Sequence, residues 1–262
     1  MIRIRAPAIL PGMSFKHILI TGASSGIGEA LALAYAKPGV RLSLSGRDPM
    51  RVAAVGEACR QKGATADSTV MDATDHTAMV AWIRACDHAQ PLDLVIANAG
   101  ISGGLGESMD VTRRIFAVNI DGVANTVLPA VELFRARRRG QIAIVSSLAG
   151  FRGIGGSPAY CASKAAVKVW GEGLRNSLAI ENIGVSVICP GFVVSRMTDV
   201  NKFPMPFLMS AEKATGIIQR GLAANKGRIA FPWPMLFGVW LLAAMPDAVS
   251  GFLGRILPKK ES

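Results

Sequence analysis

The chain has few of the residues that cross-link small folds or bind metals. Its four cysteines, at positions 59, 86, 161 and 189, lie far apart and form no C-x-x-C pair. This spacing argues against a disulfide framework and a cysteine zinc site, and it fits a reducing cytosol. The three histidines form no H-x-x-x-H pattern, which disfavours zinc hydrolase chemistry. We therefore expect no metal.

Acidic residues are scarce. The 18 Asp and Glu are outnumbered by 29 Lys and Arg, which gives a formal net charge of +11. Half of the residues are hydrophobic and only 18% are charged, so the chain has enough apolar material to form a core and is not a disordered protein. The positive excess favours an anionic partner: a nucleic acid, a phosphate-bearing cofactor or an anionic membrane surface. Composition alone does not choose among them.

The sequence lacks a full-length transmembrane span. Its longest uncharged run, residues 229–246, is 18 residues long and is interrupted early by Pro232 and Pro234, whereas a spanning helix needs about 20 consecutive apolar residues. At the other end, residues 1–15 are basic, but prolines interrupt their apolar stretch and no A-x-A site follows. We expect an N-terminal arm there rather than a cleaved signal peptide.

From Lys16 onward, short apolar runs alternate with helix-length segments. The runs cover residues 17–20, 41–45, 65–71, 92–97, 141–146 and 185–189, and the segments cover 26–37, 49–62, 75–89, 108–138 and 158–182. Strands that are apolar on both faces are typical of a parallel sheet covered by helices. The pattern predicts one α/β domain over 16–227, a doubly wound parallel sheet of the Rossmann type, followed by a hydrophobic extension over 228–262.

A glycine-rich turn follows the first apolar run. Gly22, Gly26 and Gly28 give the spacing G-x-x-x-G-x-G between a strand and a helix. Glycines at these places permit a tight turn, close approach of a phosphate and close packing of the helix on the strand, and the helix N-terminus attracts a pyrophosphate. Glu29 follows Gly28 where a P-loop requires lysine, so ATP or GTP binding by that route is excluded.

Further motifs occur in a fixed order along the chain. They are TGASSGIG (21–28), ANAG (97–100), Asn119, Ser147, Tyr160 with Lys164 in Y-C-A-S-K, and PG (190–191). Taken together they resemble the short-chain dehydrogenase/reductase family in its compact single-domain branch, over residues 16–227. The sequence departs from the family pattern at Ala97, where asparagine is usual, and at Ser195, where threonine is usual.

The resemblance implies a nicotinamide dinucleotide cofactor and a set of residues that hold it. These residues are Gly22, Ser24, Ser25, Gly26, Ile27, Gly28, Asp72, Ala73, Asn98, Ala99, Gly100, Tyr160, Lys164, Pro190, Gly191, Val193 and Ser195. Asp72 resembles the acid that contacts adenine, and it can also act as a helix cap.

The end of the second strand bears on which dinucleotide is used. An NAD enzyme typically has an acidic residue there, which binds the ribose diol. This chain has Ser45-Gly46-Arg47, with the first carboxylate at Asp48. Arg47 can bind a 2′-phosphate in a bidentate manner, so we predict NADPH/NADP+; the alternative is that Arg47 is only a solvated loop charge.

Tyr160 and Lys164 lie four residues apart and therefore on one face of a helix. A nearby ammonium favours the phenolate, and this predicts a lowered pKa for Tyr160, which would act as the acid or base. Ser147 would bind the substrate oxygen, whereas strand alternation turns Ser146 the other way. The resemblance adds that Lys164 holds the nicotinamide ribose and that Asn119 holds a water behind the lysine.

The resemblance implies that the substrate binds under the loop after Gly191 and beside the hydrophobic extension 228–262, called the tail below. Phe192, Phe203 and Phe207 make that loop apolar, and Ser147 and Tyr160 would hold the reacting oxygen. We predict an NADPH-dependent carbonyl reductase, equivalently an alcohol dehydrogenase, that acts on bulky hydrophobic ketones or aldehydes. The alternative for the phenylalanines is that they only pack the loop onto the core.

Partners and location are predicted less directly. Two alternatives remain: a lipid-type ketone reductase at a membrane surface, and a basic dinucleotide- or nucleic-acid-binding protein on the same scaffold. We expect no nucleic acid partner, because the basic run 135–139 closes a helix and has no aromatic residues interleaved with it. The resemblance implies a homo-oligomer, dimer or tetramer, through 108–138 and 158–182. The expected location is cytoplasmic. The tail is expected to close over the substrate cleft, and the alternatives are that a partner subunit covers it or that it makes peripheral membrane contact.

Overall fold

A parallel sheet forms the centre of the molecule. The computed structural model describes residues 14–103, 107–199 and 204–246. The described strands form one sheet in the order β3-β2-β1-β4-β5-β6-β7, with every neighbouring pair parallel. Their bounds are β1 His17–Thr21, β2 Arg41–Gly46, β3 Thr65–Val70, β4 Leu94–Ala97, β5 Gly140–Val145, β6 Ile183–Pro190 and β7 Arg228–Phe231. The order reverses between β1 and β4, where ligands bind beyond the carboxyl ends of the strands.

Helices connect the strands and cover both faces of the sheet. Their bounds are α1 Gly26–Tyr35, α2 Pro49–Gln61, α3 His76–Ala89, α4 Met109–Phe116, α5 Gly122–Arg137, α6 Pro158–Leu178, α7 Arg196–Asp199, α8 Ala211–Ala223 and α9 Trp233–Ala244. Helices α1, α2 and α8 share one apolar core cluster with the sheet, and α3, α5 and α6 share the other. The predicted doubly wound parallel fold is confirmed.

Burial along the strands follows their place in the sheet. All residues of β1, β4, β5 and β6 are buried, because these strands carry helices on both faces. In contrast, β3 lies at the edge, and four of its six residues are exposed. This edge strand departs from the prediction that every strand is apolar on both faces.

The prediction that the sheet ends at its sixth strand, with an extension from residue 228, is wrong. Residues Arg228–Phe231 pair with β6 as a seventh parallel strand, and Ile229 and Phe231 are each only 4% exposed. The strand is only four residues long and is followed directly by Pro232. Four residues are too few for a periodic pattern to be recognised in the sequence. The extension proper starts with α9.

The long segment 108–138 is not one uninterrupted helix. It consists of α4, a π-helical turn over Ala117–Asp121, and α5. Such turns inside helices are frequent at functional sites, and this one contains Asn119. The basic end of α5 is tied to neighbouring elements, since Arg135 pairs with Glu181 at 3.1 Å and Arg137 with Asp87 at 2.8 Å.

Helix α9 packs on the sheet domain with one face only. Met235, Leu236 and Val239 contact a buried cluster that includes Leu148 and Cys189. The opposite face is apolar but exposed, with Trp233 at 75%. Among the helices in the described ranges, none has both the length and the apolar character needed to cross a bilayer.

Candidate active site

The predicted site residues converge at the carboxyl edge of the sheet. The glycine-rich turn follows β1, Asn98 to Gly100 follow β4, Ser147 follows β5, and Pro190 ends β6. Because parallel strands end at the same edge, these turns meet around the switch point between β1 and β4. Helix α6 brings Tyr160 and Lys164 to the same edge.

The turn after β1 requires glycine at three places. Gly22 and Gly26 have φ values of +67° and +59°, in the left-handed region that favours glycine. A Cβ on Gly28 would lie 2.3 Å from the carbonyl oxygen of Gly22. Any side chain at Gly28 would therefore force α1 away from β1.

This turn has the donors and the space that a pyrophosphate needs. The first N–H groups of α1 have no intrahelical partner by geometry, and within the described ranges the Ser25 side chain makes no capping hydrogen bond to them. Ser195 lies across the turn, with its Cβ 3.0 Å from the place that a Cβ on Gly26 would take. Ile27 packs against the core behind the turn. The residues thus fit a dinucleotide.

A residue that the sequence analysis did not assign organises the next turn. Thr21 accepts hydrogen bonds at its Oγ1 from the backbone amides of Asn98, at 3.1 Å, and Ala99, at 3.3 Å. The side-chain amide of Asn98 in turn donates to the carbonyls of Thr21 and Gly22, both at 3.0 Å. Thr21 belongs to the glycine motif, but only the fold shows that it joins β1 to the turn after β4.

Two charged residues follow β2, and they differ in their contacts. Asp48 caps α2 by accepting from the Arg51 amide, at 3.1 Å, and pairs with the Arg51 side chain at 2.6 Å. These hydrogen bonds hold the pKa of Asp48 below its usual value. Arg47 is exposed, and in the described part of the chain it forms no ion pair. Ser24 lies beside Gly46 at the same strand end.

Asp72 forms a local turn after β3. Its Oδ1 accepts from the Thr74 amide at 3.0 Å and from the Thr74 hydroxyl at 2.9 Å, and these bonds lower the pKa of Asp72. The cap of α3 is Asp75, so the suggestion that Asp72 caps a helix is wrong. Ala73, beside it, is buried against Gly122.

The predicted catalytic residues lie together. The Lys164 ammonium donates to the Val145 carbonyl at 3.0 Å and lies 5.9 Å from the centre of the Tyr160 ring. Ser147 Oγ accepts from the Ala149 amide at 3.1 Å and lies near the Tyr160 phenol, whereas the Ser146 hydroxyl donates to the Lys164 carbonyl at 2.7 Å. Ser146 therefore holds the backbone of α6, and Ser147 faces the phenol.

Burial dominates the protonation of the pair. Desolvation raises the pKa of Tyr160 above its usual value, and the nearby Ser147 hydroxyl opposes this only in part. The same effect lowers the pKa of Lys164 to about 8. The expectation that the ammonium lowers the tyrosine pKa is therefore wrong for the protein alone, because desolvation is the largest influence on the phenol and raises its pKa.

Asn119 is fully buried and ties three segments together. Its Oδ1 accepts from the Ile101 amide at 2.8 Å, and its amide group donates to the Ile101 carbonyl at 2.9 Å and to Ser163 Oγ at 3.0 Å. A Cβ on Gly100 would lie 3.2 Å from both Asn119 Oδ1 and Lys164 Nζ. Both amide hydrogens of Asn119 are used by the protein, so its role in holding a water stays a prediction.

A second residue that the sequence analysis did not assign is Glu107. Its carboxylate accepts from the backbone amides of Ala159, at 2.6 Å, and Tyr160, at 3.1 Å. Glu107 precedes Tyr160 by 53 residues, and no local pattern marks the pairing. Only the tertiary fold brings the two together.

The loop after β6 is described in part. The Gly191 amide donates to the Phe231 carbonyl at 2.8 Å, and Val193 is buried and bridges to Met209. Phe192 is half-buried, whereas Phe207 is 56% exposed. Phe203 lies outside the described residues. The assignment of these three phenylalanines to the substrate stays a prediction.

A cavity of about 590 Å³ lies against the start of α6, and its lining residues do not include Ser147, Tyr160 or Lys164. The loop 149–155 forms one side, and the first turns of α6, including Cys161 and Ala165, form the other. It borders the segment that follows Ser147. No cluster of potential metal ligands occurs in the part of the chain that the structure describes.

Comparisons with known proteins show the family of this chain and its fold. The family model for short chain dehydrogenase matches residues 16–203. An uncharacterized oxidoreductase of Myxococcus xanthus is 38% identical over 94% of this chain and 98% of its own.

Two solved structures share the fold at 24% identity. One is a short-chain dehydrogenase from Sphingobium yanoikuyae in complex with NADPH (TM-score 0.76; 88% of this chain, 97% of that one). The other is a short-chain dehydrogenase/reductase from Burkholderia phymatum in complex with NAD (TM-score 0.81; 89% and 94%). With its sheet order, glycine turn and tyrosine–lysine pair, the chain belongs to the short-chain dehydrogenase family of oxidoreductases.

Proposed function

We propose that the protein is an NADPH-dependent reductase of bulky hydrophobic ketones or aldehydes, and an alcohol dehydrogenase in the reverse direction. The observation that carries this proposal is the convergence of the Ser147 and Tyr160 hydroxyls, with Lys164 buried beside them. A protein that only binds a dinucleotide has no need of this arrangement.

The protonation of the site favours reduction at neutral pH. The raised pKa of Tyr160 keeps its phenol protonated, so the phenol can give its proton to the oxygen of a carbonyl substrate. Ser147 can donate a second hydrogen bond to that oxygen and stabilise the negative charge that develops there. When bound, the dinucleotide supplies the hydride to the carbonyl carbon. The charged form of Lys164 would bind the ribose hydroxyls.

Preference for NADPH rests on Arg47. Its exposed guanidinium follows β2, where the adenosine ribose binds in folds of this type. Asp48, the nearest carboxylate in sequence, is engaged with Arg51 and the start of α2. A 2′-phosphate would therefore meet the exposed Arg47 guanidinium, whose charge also acts on Asp72.

The surroundings of Ser147 favour an apolar substrate. Met235 and Leu236 of α9 pack beside Leu148, and a Cβ on Gly191 would lie 2.8 Å from the Met235 sulfur. Helix α9 thus forms a flexible apolar wall next to the catalytic serine. This arrangement supports the proposal that the tail helps to close the substrate cleft.

Two proposals concern larger partners. The exposed sides of α5 and α6 carry Leu128 and Val169, and we propose that a second copy covers them in a homo-oligomer. The exposed face of α9 offers an alternative, contact with an anionic membrane surface through Phe237 and Trp240, whose rings stack at 6.3 Å. Light scattering and vesicle flotation test the two separately.

The decisive experiment is a substrate panel with NADPH consumption as the readout. Aryl and long-chain ketones should be reduced, and small hydroxy acids and sugars should give little turnover.

Tyr160→Phe keeps the ring but removes the phenolic hydroxyl with its proton, and it should lower turnover by about 10²–10⁴-fold while NADPH still binds. A preference for short polar carbonyls would contradict the substrate class. Binding of dinucleotide without turnover of any carbonyl would favour a binding protein.

A further inference from the structure

The first turn of α6 depends on a distant residue for its hydrogen bonds. Pro158, at the start of the helix, has no N–H to donate. The amide of Cys161 makes the first intrahelical bond, to the Ser157 carbonyl at 3.0 Å. The two amides in between, those of Ala159 and Tyr160, both donate to the carboxylate of Glu107. One carboxylate therefore satisfies both open donors of this turn.

We propose that Glu107 is a positioning residue for the catalytic tyrosine. One of the two amides that it binds is that of Tyr160 itself, so the bond fixes the backbone that carries the phenol. Hydrogen bonds from amides to a carboxylate are shorter and stronger than those to a neutral acceptor. A carboxylate also suits the positive end of the helix dipole. Glu107 thus holds the start of α6 in place from outside the helix.

The position of Glu107 links Tyr160 to the loop between β4 and α4. The next residue, Ser108, caps α4 by accepting from the Val111 amide at 3.3 Å. Nearer the start of this loop, Ile101 is held by both ends of the Asn119 side chain. The loop that follows the expected cofactor residues Asn98 to Gly100 is therefore tied to catalytic residues at two places. Glu107 makes the second of these ties.

The test compares Glu107→Ala with Ser108→Ala. Each variant removes a side-chain cap from the start of one helix, and the two residues are neighbours, so Ser108→Ala controls for a general loss of stability. Glu107→Gln is a milder variant, because its amide keeps one acceptor oxygen. Hydrogen exchange of the backbone amides is followed in the whole protein, together with kcat and KM for NADPH and for a ketone that the wild type reduces.

We expect Glu107→Ala to increase exchange at Ala159 and Tyr160 at least tenfold and to lower kcat by about 10–100-fold, because small displacements of a catalytic group are costly. KM for NADPH should stay within about twofold, and Glu107→Gln should fall in between. Ser108→Ala should increase exchange at Val111 and leave kcat within about twofold. Unchanged exchange at Tyr160, or equal loss of kcat in both alanine variants, would overturn the proposal.

The kinetic part rests on the proposed reductase function, whereas the exchange measurement needs no substrate. If the wild type reduces no ketone, the proposed reaction fails, and exchange at Ala159 and Tyr160 still decides whether Glu107 holds the start of α6. If turnover is normal in Glu107→Ala, the positioning role fails and the reaction stands.

Discussion

The ammonium of Lys164 donates to the carbonyl of Val145, the last residue of β5, at 3.0 Å. This bond joins α6 to the strand that precedes Ser147. It also holds a charge in a place where the residue is only 3% exposed. Burial at this place disfavours the charged form of the lysine and lowers its pKa.

The burial of the Lys164 ammonium gives a prediction for the stability of Lys164→Met. The pKa of Lys164 is about 8 in the folded protein, against 10.5 for the unperturbed side chain. Below pH 8 both the folded and unfolded states hold the proton, and charging the buried amine costs about 3 kcal/mol. From pH 8 to 10.5 the unfolded state binds more protons, so the stability of the wild type rises with pH. Lys164→Met should therefore raise Tm at pH 7, by several degrees, and the difference should vanish near pH 10.5.

Thermal unfolding of the cofactor-free protein across this pH range measures the effect. Lys213→Met, at an exposed position in α8, is the control and should change Tm little at any pH. A lower Tm for Lys164→Met at pH 7 would show that the bond to Val145 outweighs the burial of the charge. Turnover should be lost in Lys164→Met but not in the control.

Arg47→Asp should reverse the cofactor preference. The variant replaces the cation with a carboxylate that repels a 2′-phosphate and can bind the ribose diol. We expect KM for NADPH to rise by at least about tenfold relative to KM for NADH, the loss of one charge-assisted contact. Arg84→Asp, which makes the same change of charge on α3, should leave the ratio unchanged. An unaltered ratio in Arg47→Asp would contradict the NADPH assignment.

Removal of the tail after Pro232 tests its role at the cleft. The cut must spare β7, because Ile229 and Phe231 belong to the core. Loss of residues 233–262 should impair turnover of bulky ketones and leave NADPH binding largely intact. Full activity of a soluble truncated protein would exclude the tail from the site, and retained activity with loss of liposome binding would favour membrane contact.

A pair of leucine variants tests the same point without truncation. Leu236→Ala removes contacts on the side of Leu148, whereas Leu241→Ala changes a residue of α9 that is 41% exposed. We expect kcat/KM for a bulky ketone to fall in the first variant and to stay near the wild-type value in the second. Equal values would argue against a wall formed by α9.

Alanine substitutions at two glycines distinguish a steric requirement for glycine from an effect on helix propensity. Gly28→Ala places a Cβ 2.3 Å from the Gly22 carbonyl oxygen, so it should lower Tm and abolish dinucleotide binding. Gly238 lies in α9, and a Cβ there meets nothing within 4 Å among the described residues. Gly238→Ala should stabilise the protein by about 0.5–1 kcal/mol. Tm and cofactor fluorescence report both effects, and normal binding by Gly28→Ala would contradict the model of the turn.

The sequence by itself determined the parallel sheet and the residues around its carboxyl edge. Apolar runs and glycine spacing are local patterns, and the separation of four residues between Tyr160 and Lys164 specifies one face of a helix wherever that helix lies. The strand Arg228–Phe231 escaped this reasoning, because four residues before a proline carry too little periodicity. Its place was decided by pairing with β6.

The tertiary structure alone decided how these residues hold one another. The bonds of Glu107 to the amide of Tyr160 and of Thr21 to the turn after β4 join residues that are more than 50 positions apart. The direction of the Tyr160 pKa was also decided there, because desolvation depends on everything packed around the phenol and not on the lysine one turn away. Local pattern fixes which groups are available, and packing fixes their contacts and their charge.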